Sequence, residues 1–223
     1  MLQRSVPALL VTTIAAFAAA PFLIHNAPYE STMGFVQKIF YFHAPVGILM
    51  FVAATVCGVN SAVFLFRGKP HADRVAQAAA ELTVLLGTLV LATGPLWARK
   101  AWGVWWQWDA RLTTSLLLWM MFAAYLLVRR YGGPGSDKLA AAVGIFGMCN
   151  VPFVYVSVNV WRTLHPKTTV VPSLGPGMRE PFWFCTFAFL ALFLLLLALR
   201  VRLAEQQAAL DACYLELDDL ASA

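Results

Sequence analysis

The sequence predicts an all-α membrane protein with six transmembrane helices. Apolar residues make up 61% of the 223 residues and charged residues only 12%. A typical soluble domain has about 45–50% apolar and about 25% charged residues. So few charged side chains cannot cover a soluble globule, and the same composition excludes a disordered chain or a lone nucleic-acid-binding module. Because a spanning helix needs roughly 20 apolar residues, the length leaves no room for a separate soluble domain.

Six apolar runs predict the helices, at residues 6–24, 39–66, 75–98, 112–128, 139–160 and 182–200. The first run follows Arg4, as in a signal peptide, but it exceeds the roughly 7–15 apolar residues usual there, so we interpret it as a retained anchor. The fourth run is short, and the aromatic segment before it can extend it. Residues 1–200 are thus predicted to form one six-helix domain.

The remaining residues, 201–223, form an acidic tail. Leu203, Leu210, Tyr214 and Leu217 recur on one helical face of this segment. The tail is therefore predicted to be an amphipathic helix, either a solvated extension or a contact for a partner subunit.

Loop charges give only a weak orientation. With the N-terminus inside, nine Lys and Arg residues lie on the inner side and seven on the outer side, a small bias in the expected direction. Both termini are then cytoplasmic. The seven outer cations are Lys38, Arg99, Lys100, Arg111, Arg162, Lys167 and Arg179. So much outer positive charge favours an anionic ligand on that face.

Tryptophan is concentrated between the third and fourth runs, where WARKAWGVWWQWDARLT contains five of the eight tryptophans. An interfacial aromatic belt is one interpretation. In a helical interpretation, Trp102, Trp105, Trp106 and Asp109 share one face, with Arg99 one turn earlier. That face would suit a flat, apolar ligand with anionic edges.

Three of the four histidines, His25, His43 and His165, lie on the outer side, and we single out His43 and His165 as sharing a face with the tryptophan-rich segment. A lone histidine near a membrane is usually structural, but imidazole is also a common axial ligand of haem iron. Haem is flat and apolar, and its propionates would pair with outer cations. Zinc at two or three histidines is the alternative.

Other motifs are missing from the sequence. The four cysteines form no CxxC, which excludes a thioredoxin-like redox motif and a covalently attached c-type haem. No P-loop motif occurs either, so ATP hydrolysis would belong to another chain.

The segment WGVWWQWDARLT resembles the tryptophan-rich motif of the haem-handling membrane proteins of cytochrome c assembly, the CcmC/CcmF/CcsA family, and most closely the CcmC branch. FHAP around His43, TLH around His165 and MREP at 178–181 resemble that branch too, over roughly residues 35–185. The resemblance implies six helices in the bacterial inner membrane, cytoplasmic termini and a Trp-rich outer segment between helices 3 and 4. It also implies a b-type haem bound at the outer face by two axial histidines.

His43 and His165 match the axial ligands of that family. The residues that match its tryptophan motif are Trp102, Gly103, Trp105, Trp106, Trp108, Asp109 and Arg111. Independently of the family, we predict that haem propionates pair with Arg99, Lys100, Arg162, Lys167 and Arg179.

The function implied by the resemblance is haem delivery to the periplasmic chaperone CcmE, beside the ABC transporter subunits CcmA and CcmB and the small subunit CcmD. Such a chain would bind haem and lipid, would not bind nucleic acid, and would not itself be an enzyme. Two alternatives stay open. A system II-type cytochrome c synthase is one, although the chain lacks a large outer domain for apocytochrome. A small-solute permease is the other, using Glu81, which lies within the third run without an obvious cation.

Overall fold

A computed structural model describes residues 5–222. Arg4, counted above among the inner cations, lies outside the described residues, as do the outer ends of the predicted ranges 1–200 and 201–223. The helices are α1 (Val6–Asn26), α2 (Phe40–Arg67), α3 (Pro70–Trp102), α4 (Ala110–Tyr131), α5 (Ser136–Val160) and α6 (Arg179–Ser222), with 3₁₀ turns at Phe35–Ile39 and Thr168–Val170. Within residues 5–222, six helices are long and apolar enough to cross a membrane. The predicted six-span, all-helical class is confirmed.

Local residue types set the helix ends. Gly68 adopts a left-handed φ of 62° and ends α2, and Pro70 occupies the first turn of α3, where its missing N–H costs nothing. Asp109 caps α4, because its side chain accepts a hydrogen bond from the Leu112 backbone N–H. The short connection at 68–69 forces α2 and α3 into an antiparallel pair.

Small residues allow the helices to approach closely. α2 packs against α3 and α5, α4 against α5, and α1 against α6. At the α2–α5 contact, a Cβ added to Gly58 would lie 2.3 Å from Met148 Cβ, and at the α4–α5 contact one added to Gly147 would lie 2.8 Å from Phe122 Cε2. Glycine at these positions is what membrane helices use to bring their backbones together.

The bundle has two distinct ends. The connections 27–39, 103–109 and 161–178 meet at one end, which we call the site end, and the connections 68–69 and 132–135 lie at the opposite end. At the opposite end Arg129 binds Asp73 through two hydrogen bonds of 2.5 and 2.8 Å. This ion pair thus ties α3 and α4 together there.

Glu81 also has a cation. Arg200 donates to both of its carboxylate oxygens, at 2.5 and 2.7 Å. The sequence shows no obvious cation for Glu81 because its partner comes from α6, 119 residues further along the chain. Glu81 is therefore the acceptor of an interhelical ion pair between α3 and α6.

The acidic tail continues α6 without a break. This helix runs from Arg179 to Ser222, so the predicted boundary at residue 200 falls inside it, and the division into two parts stays a prediction. Beyond Val201 its apolar side chains lie at the surface, Leu203 being 52% exposed and Leu217 60% exposed.

Candidate functional site

A cavity of about 760 Å³ opens at the site end of the bundle, within the range of about 300–1,000 Å³ typical of ligand sites. It lies between α2, α3, α4 and α5 and is covered by the connection 161–178. Its polar groups are few and its walls are mainly apolar. The polar and aromatic residues that could bind a ligand there are His43, Trp97, Trp102, Trp106, Arg111, Tyr155, His165, Lys167 and Trp183. Both predicted histidines therefore face one apolar space.

His43 belongs to the first turn of α2. Its Nδ1 lies 2.8 Å from Thr93 Oγ1 on α3. On the same helix, a Cβ added to Gly94 would lie 3.3 Å from His43 Cε1. The imidazole is thus packed against α3, with Nδ1 engaged and Nε2 as the remaining ring nitrogen.

His165 lies in the irregular connection between α5 and α6, as Pro166 predicts. Its Nδ1 lies 2.9 Å from the Pro166 carbonyl oxygen, which can only accept. Burial lowers the pKa of the His165 imidazole to about 4, and the nearby Arg111 guanidinium acts in the same direction. His165 is consequently neutral at pH 7, with a lone pair on Nε2 available to a metal.

Asp109 connects the tryptophan segment to the loop of His165. Its Oδ1 accepts from the Leu112 backbone N–H at 2.8 Å, and its Oδ2 accepts from the Thr163 hydroxyl. Thr163 Oγ1 in turn accepts from the His165 backbone N–H at 3.0 Å. The carboxylate therefore caps α4 and anchors the histidine loop at once.

The tryptophan segment is not a continuous helix, and the helical interpretation of 102–109 is wrong. Gly103 adopts a φ of 78° and ends α3, and α4 does not begin until Ala110. The extended link sends the indoles in different directions. Trp102 and Trp106 line the cavity, whereas Trp105 is 56% exposed and Trp108 75% exposed.

Two further tryptophans, Trp97 and Trp183, line the cavity. Trp97 packs edge-on against Trp102, with ring centroids 4.8 Å apart. Trp183, near the start of α6, also lines the cavity. Trp97 lies in the tryptophan-rich segment but outside the matched motif, and its place among the five clustered tryptophans was the available signal. Nothing local in the sequence marks Trp183.

Several of the outer cations serve the backbone. Lys38 donates to the Ile24 carbonyl at the end of α1 at 2.6 Å, Arg99 donates to the Gly103 carbonyl, and Arg179 donates to the Leu174 carbonyl at 2.8 Å. Carbonyl groups at helix and loop ends attract such cations, which accounts for part of the outer positive charge without a ligand.

Two of the predicted cations line the cavity itself, Arg111 and Lys167. Arg111 also donates to the Val154 carbonyl on α5 at 2.5 Å, and its guanidinium lies 5.5 Å from the centre of the Phe51 ring. Arg99, Lys100, Arg162 and Arg179 do not line the cavity. They lie at the surface of the same end.

The chain is similar to known proteins over most of its length. The family model described as heme exporter protein C matches residues 1–213. The heme exporter protein C of Bradyrhizobium diazoefficiens is 34% identical over 181 residues, covering 80% of this chain and 69% of that protein. This chain belongs to the heme exporter protein C family.

Other relatives extend the family across bacteria and mitochondria. The heme exporter protein C of Escherichia coli K12 is 31% identical over 183 residues, covering 79% of this chain and 73% of that protein. A protein of Arabidopsis thaliana named as a putative cytochrome c biosynthesis ccmC-like mitochondrial protein is 29% identical over 180 residues, covering 78% of this chain and 69% of its own. The predicted resemblance to the CcmC branch is confirmed.

Membership in the heme exporter protein C family supports a role in haem handling for cytochrome c maturation, and transport or delivery rather than catalysis. The family and the membrane-length helices together confirm the predicted location, a multi-pass protein of the inner membrane. Among residues 5–222, no group of three or more His, Cys, Asp or Glu side chains could hold a metal ion. The zinc alternative thus finds no third ligand in the described part of the chain.

Proposed function

We propose that this protein binds one b-type haem in the cavity at the site end, with His43 and His165 as the axial ligands, and delivers it to the periplasmic chaperone CcmE. The observation that carries the proposal is the pair of imidazoles facing one apolar cavity. Each has Nδ1 engaged, which leaves Nε2 for iron. Haem is the cargo of this site, and its iron supplies the coordination bonds by which it is held.

The cavity walls suit the porphyrin ring and the propionates of haem. Trp97, Trp102, Trp106 and Trp183 offer indole surface to a flat macrocycle, and aromatic contacts of this kind add about 0.5–1.5 kcal/mol beyond burial. Arg111 and Lys167 are the best placed propionate partners, because they line the cavity. Arg99, Lys100, Arg162 and Arg179 would act from its outer rim. Trp105 and Trp108, which are exposed, would meet the edge of the haem or the chaperone.

Delivery requires that one axial ligand be released. His43 is part of a helix packed in the bundle, whereas His165 lies in an irregular loop fastened by hydrogen bonds to Asp109 and Thr163. Opening a loop costs less than moving a packed helix. We therefore propose that the chaperone displaces His165 and that His43 holds haem until transfer is complete.

The orientation follows from the same proposal. A chaperone in the periplasm requires the site end to face the periplasm, which puts both termini and the acidic tail in the cytoplasm. There the tail, residues 201–223, would be a separate contact region. The ABC subunits CcmA and CcmB and the small subunit CcmD are the proposed partners in the membrane.

Neither alternative is favoured by a specific observation. A permease would need Glu81 as a free proton site, but its carboxylate is paired with Arg200 away from the cavity. A cytochrome c synthase would need a docking domain for apocytochrome, and the site-end connections are short.

An absorption spectrum of the detergent-purified protein from haem-replete cells tests the ligands. The wild type is expected to show a Soret band that is shifted or lost in His43→Ala and in His165→Ala. His25→Ala is the matched control, since His25 is also at the site end but is exposed and outside the cavity. A band indifferent to both cavity substitutions would overturn the ligand assignment.

Delivery is tested separately by mixing the haem-loaded protein with purified CcmE free of haem. Gel filtration is expected to show haem eluting with the chaperone. An unrelated soluble haem-binding protein, which measures passive loss of haem, should take up less. Equal uptake by the two acceptors would contradict directed delivery while leaving haem binding intact.

A further inference from the structure

We propose that Thr93 is a positioning residue for His43, holding the imidazole in the tautomer that carries hydrogen on Nδ1 and presents an unprotonated Nε2 to the cavity. The inference rests on the proposed function, because it concerns how one of the two proposed ligands is prepared for haem iron. It assigns a role to a threonine outside the tryptophan motif.

The direction of the hydrogen bonds fixes the tautomer. Thr93 Oγ1 lies 2.7 Å from the Leu89 carbonyl oxygen, which has no hydrogen to give. The single hydroxyl hydrogen of Thr93 is therefore donated to Leu89, and towards His43 the same oxygen can only accept. At 2.8 Å from Thr93 Oγ1, His43 Nδ1 must be the donor. A neutral imidazole with hydrogen on Nδ1 has its lone pair on Nε2.

The neighbouring residue keeps the ring in this position. Gly94 lies beside Thr93 on α3, and a Cβ there would approach His43 Cε1 to 3.3 Å, closer than ordinary van der Waals contact. The absence of a side chain at position 94 therefore lets the imidazole approach α3 closely, within reach of the Thr93 hydroxyl. Thr93 and Gly94 together form the seat of His43.

The two histidines are prepared in different ways. His165 donates its Nδ1 hydrogen to a backbone carbonyl, that of Pro166, which no substitution removes. His43 depends on a side chain. Metal-binding histidines commonly donate their second N–H to such an acceptor, and loss of the acceptor typically lowers metal affinity by about 10–100-fold. The acceptor also makes the imidazole a better donor to iron, which stabilises the ferric state and lowers the reduction potential.

The test compares Thr93→Val, which keeps the shape but removes the hydroxyl, with Thr93→Ser, which keeps the hydroxyl. Thr83→Val is the matched control, because Thr83 makes the same bond to the carbonyl one turn earlier in α3, to Ala79 at 2.8 Å, and does not line the cavity. Ferric haem affinity and the midpoint reduction potential are measured in detergent, and gel filtration reports folding.

Thr93→Val is expected to weaken ferric haem binding by about 10–100-fold and to raise the midpoint potential, while Thr93→Ser and Thr83→Val stay near wild type. Wild-type affinity and potential in Thr93→Val would overturn the inference, as would equal losses in Thr93→Val and Thr93→Ser or in Thr83→Val. These failures are distinct from failure of the proposed function, in which His43→Ala itself would leave the haem spectrum unchanged.

Discussion

Asp109 illustrates how one residue of the tryptophan segment acts at a distance. It does not line the cavity. Its carboxylate instead accepts from Leu112 on α4 and from Thr163 and Leu164 in the loop of His165. The acidic residue of the motif thus acts as a clamp between the start of α4 and the loop of His165, while Trp102 and Trp106 line the cavity.

Asp109→Asn is expected to lower haem affinity about tenfold, as the loss of a hydrogen-bond partner that orients a metal ligand typically does. Asparagine can still cap α4 through its side-chain oxygen, but its NH₂ group cannot accept the Thr163 hydrogen bond. Haem titration in detergent measures the change, and Thr163→Val should produce a similar one. Asp137→Asn, in the first turn of α5 at the opposite end, is the control. Unchanged affinity in both Asp109→Asn and Thr163→Val would contradict the clamp.

The helix contacts of the bundle depend on residues without side chains. At Gly58 the backbone of α2 comes so close to Met148 that an added Cβ would lie 2.3 Å from Met148 Cβ. That atom is fixed to the backbone of α5, so the clash can be relieved only by moving one helix. At Gly47, on the same helix, the nearest atom would be 3.9 Å away.

Gly58→Ala is expected to destabilise the protein by about 1–3 kcal/mol, the usual cost of overpacking. Gly47→Ala should be neutral or slightly stabilising, because alanine is the better helix former. Thermal unfolding in detergent measures both. Gly58→Ala combined with Met148→Gly should cost less than the sum of the two single changes, because the clash is absent from the double variant. Equal melting temperatures for Gly58→Ala and Gly47→Ala would show that α2 and α5 are not this close.

The ion pairs of α3 differ in burial and should differ in how much each contributes to the free energy of unfolding. The side chains of Arg129 and Asp73 are 16% and 15% exposed, whereas those of Arg200 and Glu81 are 45% and 25% exposed. Removing one partner of a buried pair leaves an uncompensated charge, but an exposed partner is solvated by water.

Asp73→Asn is therefore expected to cost about 3 kcal/mol of unfolding free energy and Glu81→Gln about 1 kcal/mol. Thermal unfolding ranks the two variants. Haem binding in Glu81→Gln should remain at the wild-type level, since this pair lies far from the cavity. Loss of haem binding or delivery in a folded Glu81→Gln protein would instead revive a functional role for this carboxylate.

At the scale of the whole molecule, the cavity and the acidic end of α6 lie at opposite ends of one bundle. A single orientation of the bundle in the membrane therefore determines both the side on which the cavity opens and the side on which the tail lies. Of the four cysteines, Cys57 and Cys185 are buried, while Cys149 faces outward from α5 and Cys213 lies exposed in the tail.

Cys213 therefore reports the topology without an added tag. A membrane-impermeant maleimide is expected to leave Cys213 unmodified in intact spheroplasts and to modify it in inverted vesicles. Cys213→Ser supplies the background from the other cysteines. In that variant, Ser173→Cys in the exposed 161–178 connection should show the reverse pattern. Labelling of Cys213 in intact spheroplasts would contradict cytoplasmic termini and a periplasmic cavity.

Composition and local patterns determined much of this protein. The six spans follow from runs of apolar residues. In lipid each apolar segment is buried and must satisfy its backbone N–H and C=O groups by hydrogen bonds within its own helix. Gly68, Pro70 and Asp109 set helix ends by conformational preferences that need no distant partner. His43 and His165 were likewise identified from the sequence as candidates, and both line the cavity.

Tertiary structure decided what joins residues far apart in the chain. His43 and Thr93 are 50 residues apart, Asp109 and Thr163 are 54 apart, and Glu81 and Arg200 are 119 apart. No local periodicity encodes such contacts, since they arise only when helices pack. The path of the tryptophan segment belongs to the same class, because Gly103 breaks the helical period and packing then selects which indoles line the cavity.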